Sequence, residues 1–110
     1  MAFGFPAYHQ EDFQIPANLQ PQIIWQALQY MGWSGAGTPD GMQFRVSSSV
    51  SWGSWGESIV VLRVAPDRLQ VRSECAMPTQ VFDWGRNETN VKRFFAMLVA
   101  IAQGQQPPTW

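Results

Sequence analysis

The residues of this chain best suited to hold a partner are tryptophans set beside glycines. The 110 residues include six Trp, and Trp52, Trp55 and Trp84 each precede a Gly. Trp offers a large flat surface with one N–H donor, and Gly lets a backbone turn tightly or approach closely. Such pairs could form a binding platform for a peptide, a sugar or a partner protein. The structural alternative is an aromatic mini-core pinning the loop 47–57 to the start of the last helix, and it is the stronger reading. Asp83 and Asn87 bracket Trp84 as capping residues would. A second group is cationic. Arg45, Arg63 and Arg72 are three of seven Lys and Arg in the chain. Arg makes planar bidentate bonds to carboxylate or phosphate, so three on one sheet face could dock an acidic segment. The plainer role is covering a solvated sheet face.

Catalytic groups are sparse. No GxGxxG, P-loop, HExxH or GxSxG string occurs. One Cys and one His cannot build a Cys-based zinc cage or a His cluster, and no cofactor motif is present. His9, near Glu11 and Asp12, reads as a solvated surface residue. Cys75 would need a nearby cation to become a nucleophile. Arg72, three positions away on a strand, points to the other face. Glu57 and Glu74 could pair across a hairpin, but acid–base work needs environments that split their pKa values.

The elements that would position these groups follow from periodicity. Residues 1–17 mix Phe3, Phe5, Tyr8 and Phe13 with Pro6 and Pro16, which predicts an irregular segment laid on the domain. Asn18 is an N-cap candidate for a helix over 19–31, with Ile24, Leu28 and Met31 on one face and Gly32 ending it. Met42, Phe44 and Val46 alternate with polar residues, as in a half-buried strand. Residues 58–64 and 69–75 predict a hairpin turning at Pro66-Asp67. In the expected register Val64 faces Leu69, Leu62 faces Val71 and Val60 faces Ser73. Ile59, Val61, Arg63, Gln70, Arg72 and Glu74 then share the opposite face, joined by Arg45 if strand 42–46 is in the same sheet. Gln80–Phe82 could add a short edge segment. Asn87 is an N-cap candidate for a helix over 88–103. Val91, Phe94, Phe95, Leu98 and Ala102 trace its apolar face, and Gly104 stops it.

Helix, strand, hairpin, helix with short turns predicts a two-layer α+β domain: an antiparallel sheet of three to four strands with two helices on one face. Residues 1–18 are the irregular lead, 19–104 the domain and 105–110 a flexible tail. Phe44, Val71, Leu62 and Leu98 are expected in the core.

Several strings also carry a family resemblance. Ser54-Trp55-Gly56-Glu57-Ser58-Ile59, Val71-Arg72-Ser73-Glu74-Cys75, Pro78-Thr79-Gln80-Val81-Phe82-Asp83-Trp84-Gly85-Arg86-Asn87, then Asn90-Val91 and Phe94, resemble a small bacterial domain of unknown function. That pattern is associated with soluble segments of some rhomboid-type membrane proteins and with short stand-alone proteins. The resemblance covers about residues 54–95 and brings no catalytic residues.

Composition narrows the function classes. Charged residues are 14% of the chain, against a usual ~25%. Twelve Gln supply polarity instead, and the net charge is −1, which gives no bias toward nucleic acid. No apolar stretch approaches the ~18–20 residues that span a bilayer. Met1–Gln10 lacks the regions of a signal peptide, and a single Cys fits a reducing cytoplasm. These features point to a non-enzymatic cytoplasmic domain that binds a protein partner or a second copy of itself. The alternative is a carrier of a small or lipid-like ligand, held between sheet and helices by Phe44, Phe94, Phe95 and Leu98.

Overall fold

The computed structural model describes residues 8–48, 56–75 and 86–105. It is an α+β domain: a five-stranded antiparallel sheet with two helices on one face. In chain order the elements are β1 (Tyr8–Gln14), α1 (Pro21–Tyr30), β2 (Ser34–Gly37), β3 (Gln43–Ser47), β4 (Glu57–Ala65), β5 (Arg68–Cys75) and α2 (Arg86–Ala102). The strands lie in the order β1-β5-β4-β3-β2. This sheet is wider than the three to four strands expected. The extra strands are β1, in the segment expected to be irregular, and the short β2.

Local chemistry sets the helix ends. The residue before a proline is pushed to extended backbone. Gln20 obeys, with φ −78° and ψ 142°, so α1 starts at Pro21 rather than 19. Asn18 therefore does not cap it. At the other end Gly32 takes φ 79°, its N–H bonds to Gln29 and that of Trp33 bonds to Leu28. This is the double closure that a left-handed residue permits after a helix. Gly104 closes α2 the same way, at φ 71°, through Gly104 to Ile101 and Gln105 to Ala100. Asn87 is a helical residue inside α2, not a cap preceding it.

The β4–β5 hairpin turns at Pro66-Asp67, as its sequence predicts, with Ala65 opposite Arg68. A bulge between Arg63 and Ala65 then shifts the register by one residue. Arg63 faces Leu69, Val61 faces Val71 and Ile59 faces Ser73. The expected register is therefore overturned, because one extra residue on one strand exchanges the faces of everything beyond it. Ile59 and Val61 are fully buried under the helices with Leu69 and Val71. Leu62 moves to the open face and is only half-buried, contrary to its expected core place.

The core joins Ile24, Ala27 and Leu28 of α1 to Val91, Phe94, Met97 and Leu98 of α2, over Phe44, Val46, Ile59, Val61, Leu69 and Val71 of the sheet. Aromatic pairs tie the layers. Trp25 stacks on Phe44 at 6.2 Å, Trp33 on Phe94 at 6.2 Å and Phe13 on Phe95 at 4.1 Å. Ala102, expected on the inner face of α2, is exposed, and Ile101 packs there instead.

The bulge also aims Arg63 at the connection between β1 and α1. Its Nη1 donates to the Leu19 carbonyl at 2.7 Å and its Nη2 to the Pro66 carbonyl at 2.8 Å, with longer bonds to Pro16 and Ala17. One guanidinium thus holds the 16–19 loop against the hairpin turn. Replacing Arg63 by Ala should cost about 1–3 kcal/mol, the scale of charged hydrogen bonds. Arg72→Ala, on the open face, should leave the urea midpoint nearly unchanged. Equal midpoints for the two variants would contradict this assignment.

Candidate functional site

The three Arg do not form one cluster. Arg45 faces Val60 and Val60 faces Arg72, so Arg45 and Arg72 stand in one row on the open face. Arg63 lies on the helix side, where backbone carbonyls engage it. Ile59 and Val61, expected beside the cations, are replaced there by Val60 and Leu62. Arg72 sits 4.3 Å above the Tyr8 ring and 3.4 Å from both Gln10 Oε1 and Glu74 Oε2. Arg45 is exposed, and its guanidinium makes no hydrogen bond or ion pair among the described residues. Trp52, Trp55, Trp84 and the 80–82 segment lie outside the described residues, and so does the side chain of Cys75.

The helix side holds a buried polar network that long-range pairing assembles. Ser73 ends the apolar row of β5, and α2 presents Asn87 and Asn90, three residues apart and hence on one face. Ser73 Oγ donates to Asn87 Oδ1 at 2.7 Å. Asn90 Nδ2 donates to Ser73 Oγ at 3.2 Å and to Glu57 Oε1 at 2.9 Å. Ser73 and Asn87 have no exposed surface, and Glu57 is 5% exposed. Glu57 therefore lies on the face opposite Glu74, and the two form no carboxylate pair. All four members lie in the strings noted above, yet only the hydrogen-bonded geometry joins them. The Asn87–Asn90 spacing is the one local sign the sequence offers.

His9 stands opposite Ser73 in the β1–β5 register, with Glu11 bonded to its ring at 2.8 Å. It belongs to an edge strand, not to an irregular segment. The hydroxyl proton of Ser73 is given to Asn87 rather than to His9, so this arrangement does not activate Ser73 as a nucleophile. Its evident work is mechanical: it fixes the start of α2 to β4 and β5. Among the described residues, no group of three His, Cys, Asp or Glu is placed to hold a metal ion.

A third feature is an open cleft of about 300 Å³ between the start of α1 and the β2–β3 turn. Trp25 and Phe44 line it, with Asp40 on the turn. Thr38 Oγ1 and the Met42 N–H, at 3.0 Å, both donate to Asp40 Oδ1. The Thr38 bond, then the Met42 bond, hold the Asp40 carboxyl below the usual carboxylate range. The four residues expected to line a carrier pocket do not meet here. Only Phe44 borders the cleft, Phe94 and Leu98 are in the core, and Phe95 packs on Phe13 of β1.

Compared with protein-family models, curated proteins and solved structures, the chain matches none. No helix among the described residues is long and apolar enough to cross a membrane.

The network makes a stability prediction. Ser73→Ala removes the donor to Asn87 and an acceptor of Asn90, leaving buried amide atoms without those partners. The expected loss is about 1–3 kcal/mol by urea denaturation. Glu74→Ala, on the exposed face, should shift stability by less than about 0.5 kcal/mol. A Ser73→Ala protein as stable as the parent would remove the network from the account.

Proposed function

We propose that this chain is a non-enzymatic interaction domain of the cytoplasm that associates with a second copy of itself through the open face of its sheet. The observation that carries this reading is the make-up of that face. Val60 and Leu62 run down its centre, with Arg45 on one side and Arg72, Gln70 and Asp12 on the other. Both helices lie on the opposite face, so no described helix covers this one. A mixed apolar and charged surface that includes Tyr and Arg has the composition of protein interfaces.

Five strands about 4.8 Å apart, each with about six residues of ~3.3 Å, present roughly 400 Å² in projection. A standard interface takes about 800 Å² per partner, so a dimer through this face is a small one. The face also complements itself. A two-fold axis along the strands, between β4 and β5, sets β1 of one copy over β3 of the other. Arg45 then lies over Gln10 and Asp12 over Gln43, one side-chain row from Arg45, and Leu62 and Val60 lie near the centre. One Cys and a small fraction of charged residues suit a reducing compartment and ready association.

Light scattering coupled to gel filtration tests the proposal. The parent should show twice the chain mass of 12.4 kDa. The double variant Arg45→Glu, Leu62→Glu should run as a monomer with its circular dichroism intact. A parent that is monomeric at its highest soluble concentration, or a double variant that dimerises as the parent does, would overturn it.

A further inference from the structure

The cleft beside α1 has a composition that selects for charge, and it lies on the helix side, away from the proposed dimer face. We infer that it binds a small organic cation of the alkylammonium class, held by the carboxylate of Asp40 and the rings of Trp25 and Phe44. The inference does not depend on self-association.

The walls are preformed. Gly41 takes φ 70°, and a Cβ there would fall 2.6 Å from Pro21 Cγ. The turn therefore rests directly on the first residue of α1, and only glycine permits that contact. Trp25 and Phe44 lie 23° from parallel at 6.2 Å, so each ring fixes the other, and Trp25 is the more exposed of the two along the cleft. The volume of about 300 Å³ is at the small end of ligand sites.

The charge has one sign. Among the described residues, Asp40 is the single formally charged one along the cleft. Its Oδ1 is committed to Thr38 and Met42, which orients the group, and no described residue bonds its Oδ2. A carboxylate held in place beside aromatic faces is the arrangement that attracts a cation with an apolar body. The start of α1 opposes this with about half a positive charge. Pro21 lacks one of the N–H groups that carry that partial charge, and the full charge of Asp40 outweighs it. An anion meets a repelling carboxylate, and a neutral apolar molecule gains only the rings.

Choline is a suitable probe, with its neutral carbon isostere dimethylbutanol as the control. Amide and indole NMR spectra of the full chain should show saturable shifts at Trp25, Thr38 and Gly41 with a millimolar Kd for choline. Sodium chloride at equal ionic strength should not produce them. Dimethylbutanol should bind about tenfold more weakly or worse. Asp40→Asn keeps an oxygen for Thr38 and Met42, so it should preserve the spectrum elsewhere and weaken choline by a similar factor. Absence of saturable shifts with choline, equal affinity for the two probes, or an Asp40→Asn protein that binds choline like the parent would each overturn the inference.

Discussion

The bulge in β4, where Arg63 and Val64 together oppose Leu69, decides which side chains of the central strand meet the helices. β4 lies third of five strands, bonded to β3 and β5. Its inward residues are Glu57, Ile59, Val61 and Arg63, and they run from a polar end through an apolar middle to a cation. Each meets a matching environment. Ile59 and Val61 lie under the helices, Glu57 reaches Asn90, and Arg63 reaches the carbonyls of the β1–α1 loop. Shift the strand by one residue and Val60 and Leu62 would enter the core while a carboxylate and a guanidinium lost their partners. Hydrophobic burial alone discriminates weakly between these states, since both bury two aliphatics. The polar ends make the difference, because Asn90 would lose Glu57 and the loop carbonyls would lose Arg63, with Ser58 and Val64 in their places.

Two polar ties therefore hold opposite ends of one layered core. At one end Ser73, Asn87, Asn90 and Glu57 join α2 to the sheet. At the other, Arg63 joins the loop before α1 to the hairpin turn, alongside an Ile15 N–H bond to Asp67. Between them lie apolar contacts that any well-shaped aliphatic could make. The ties give direction: they specify where each helix sits along the sheet. On the open face, the side-chain contacts among the described residues centre on Arg72, which meets Tyr8, Gln10 and Glu74.

Both helices, the hairpin turn and the strand expected at 42–46 and found at 43–47 were legible in the sequence from periodicity and turn residues, but neither Asn18 nor Asn87 is the cap expected of it. Three things were not. β1 is Tyr8–Gln14, mostly polar residues of modest strand preference, and it forms because β5 offers an edge to pair with. β2 is Ser-Gly-Ala-Gly, which carries no alternation to read. Its glycines are explained only by the fold, since a Cβ at Gly37 would strike the Phe44 ring. The register was hidden for a third reason. Ile59-Val60-Val61-Leu62 is apolar throughout, so neither face declares itself, and a bulge leaves no residue-type signature at Val64. The candidate sites share that fate. Arg45 and Arg72 fell on one face under either register, whereas Arg63 changed sides with the slip. The buried network needed contacts between residues more than a dozen apart, beyond the reach of local pattern.

The register can be read directly by NMR. Arg63 donates its N–H to Met42 in the β3 direction, so by alternation Val61 and Ile59 also turn their amides toward β3. Each then meets β5 as a close, non-hydrogen-bonded pair. Strong Hα–Hα cross-peaks are expected between Val61 and Val71 and between Ile59 and Ser73. Cross-peaks joining Leu62 to Val71 and Val60 to Ser73 instead would place the other face of β4 under the helices and contradict the account.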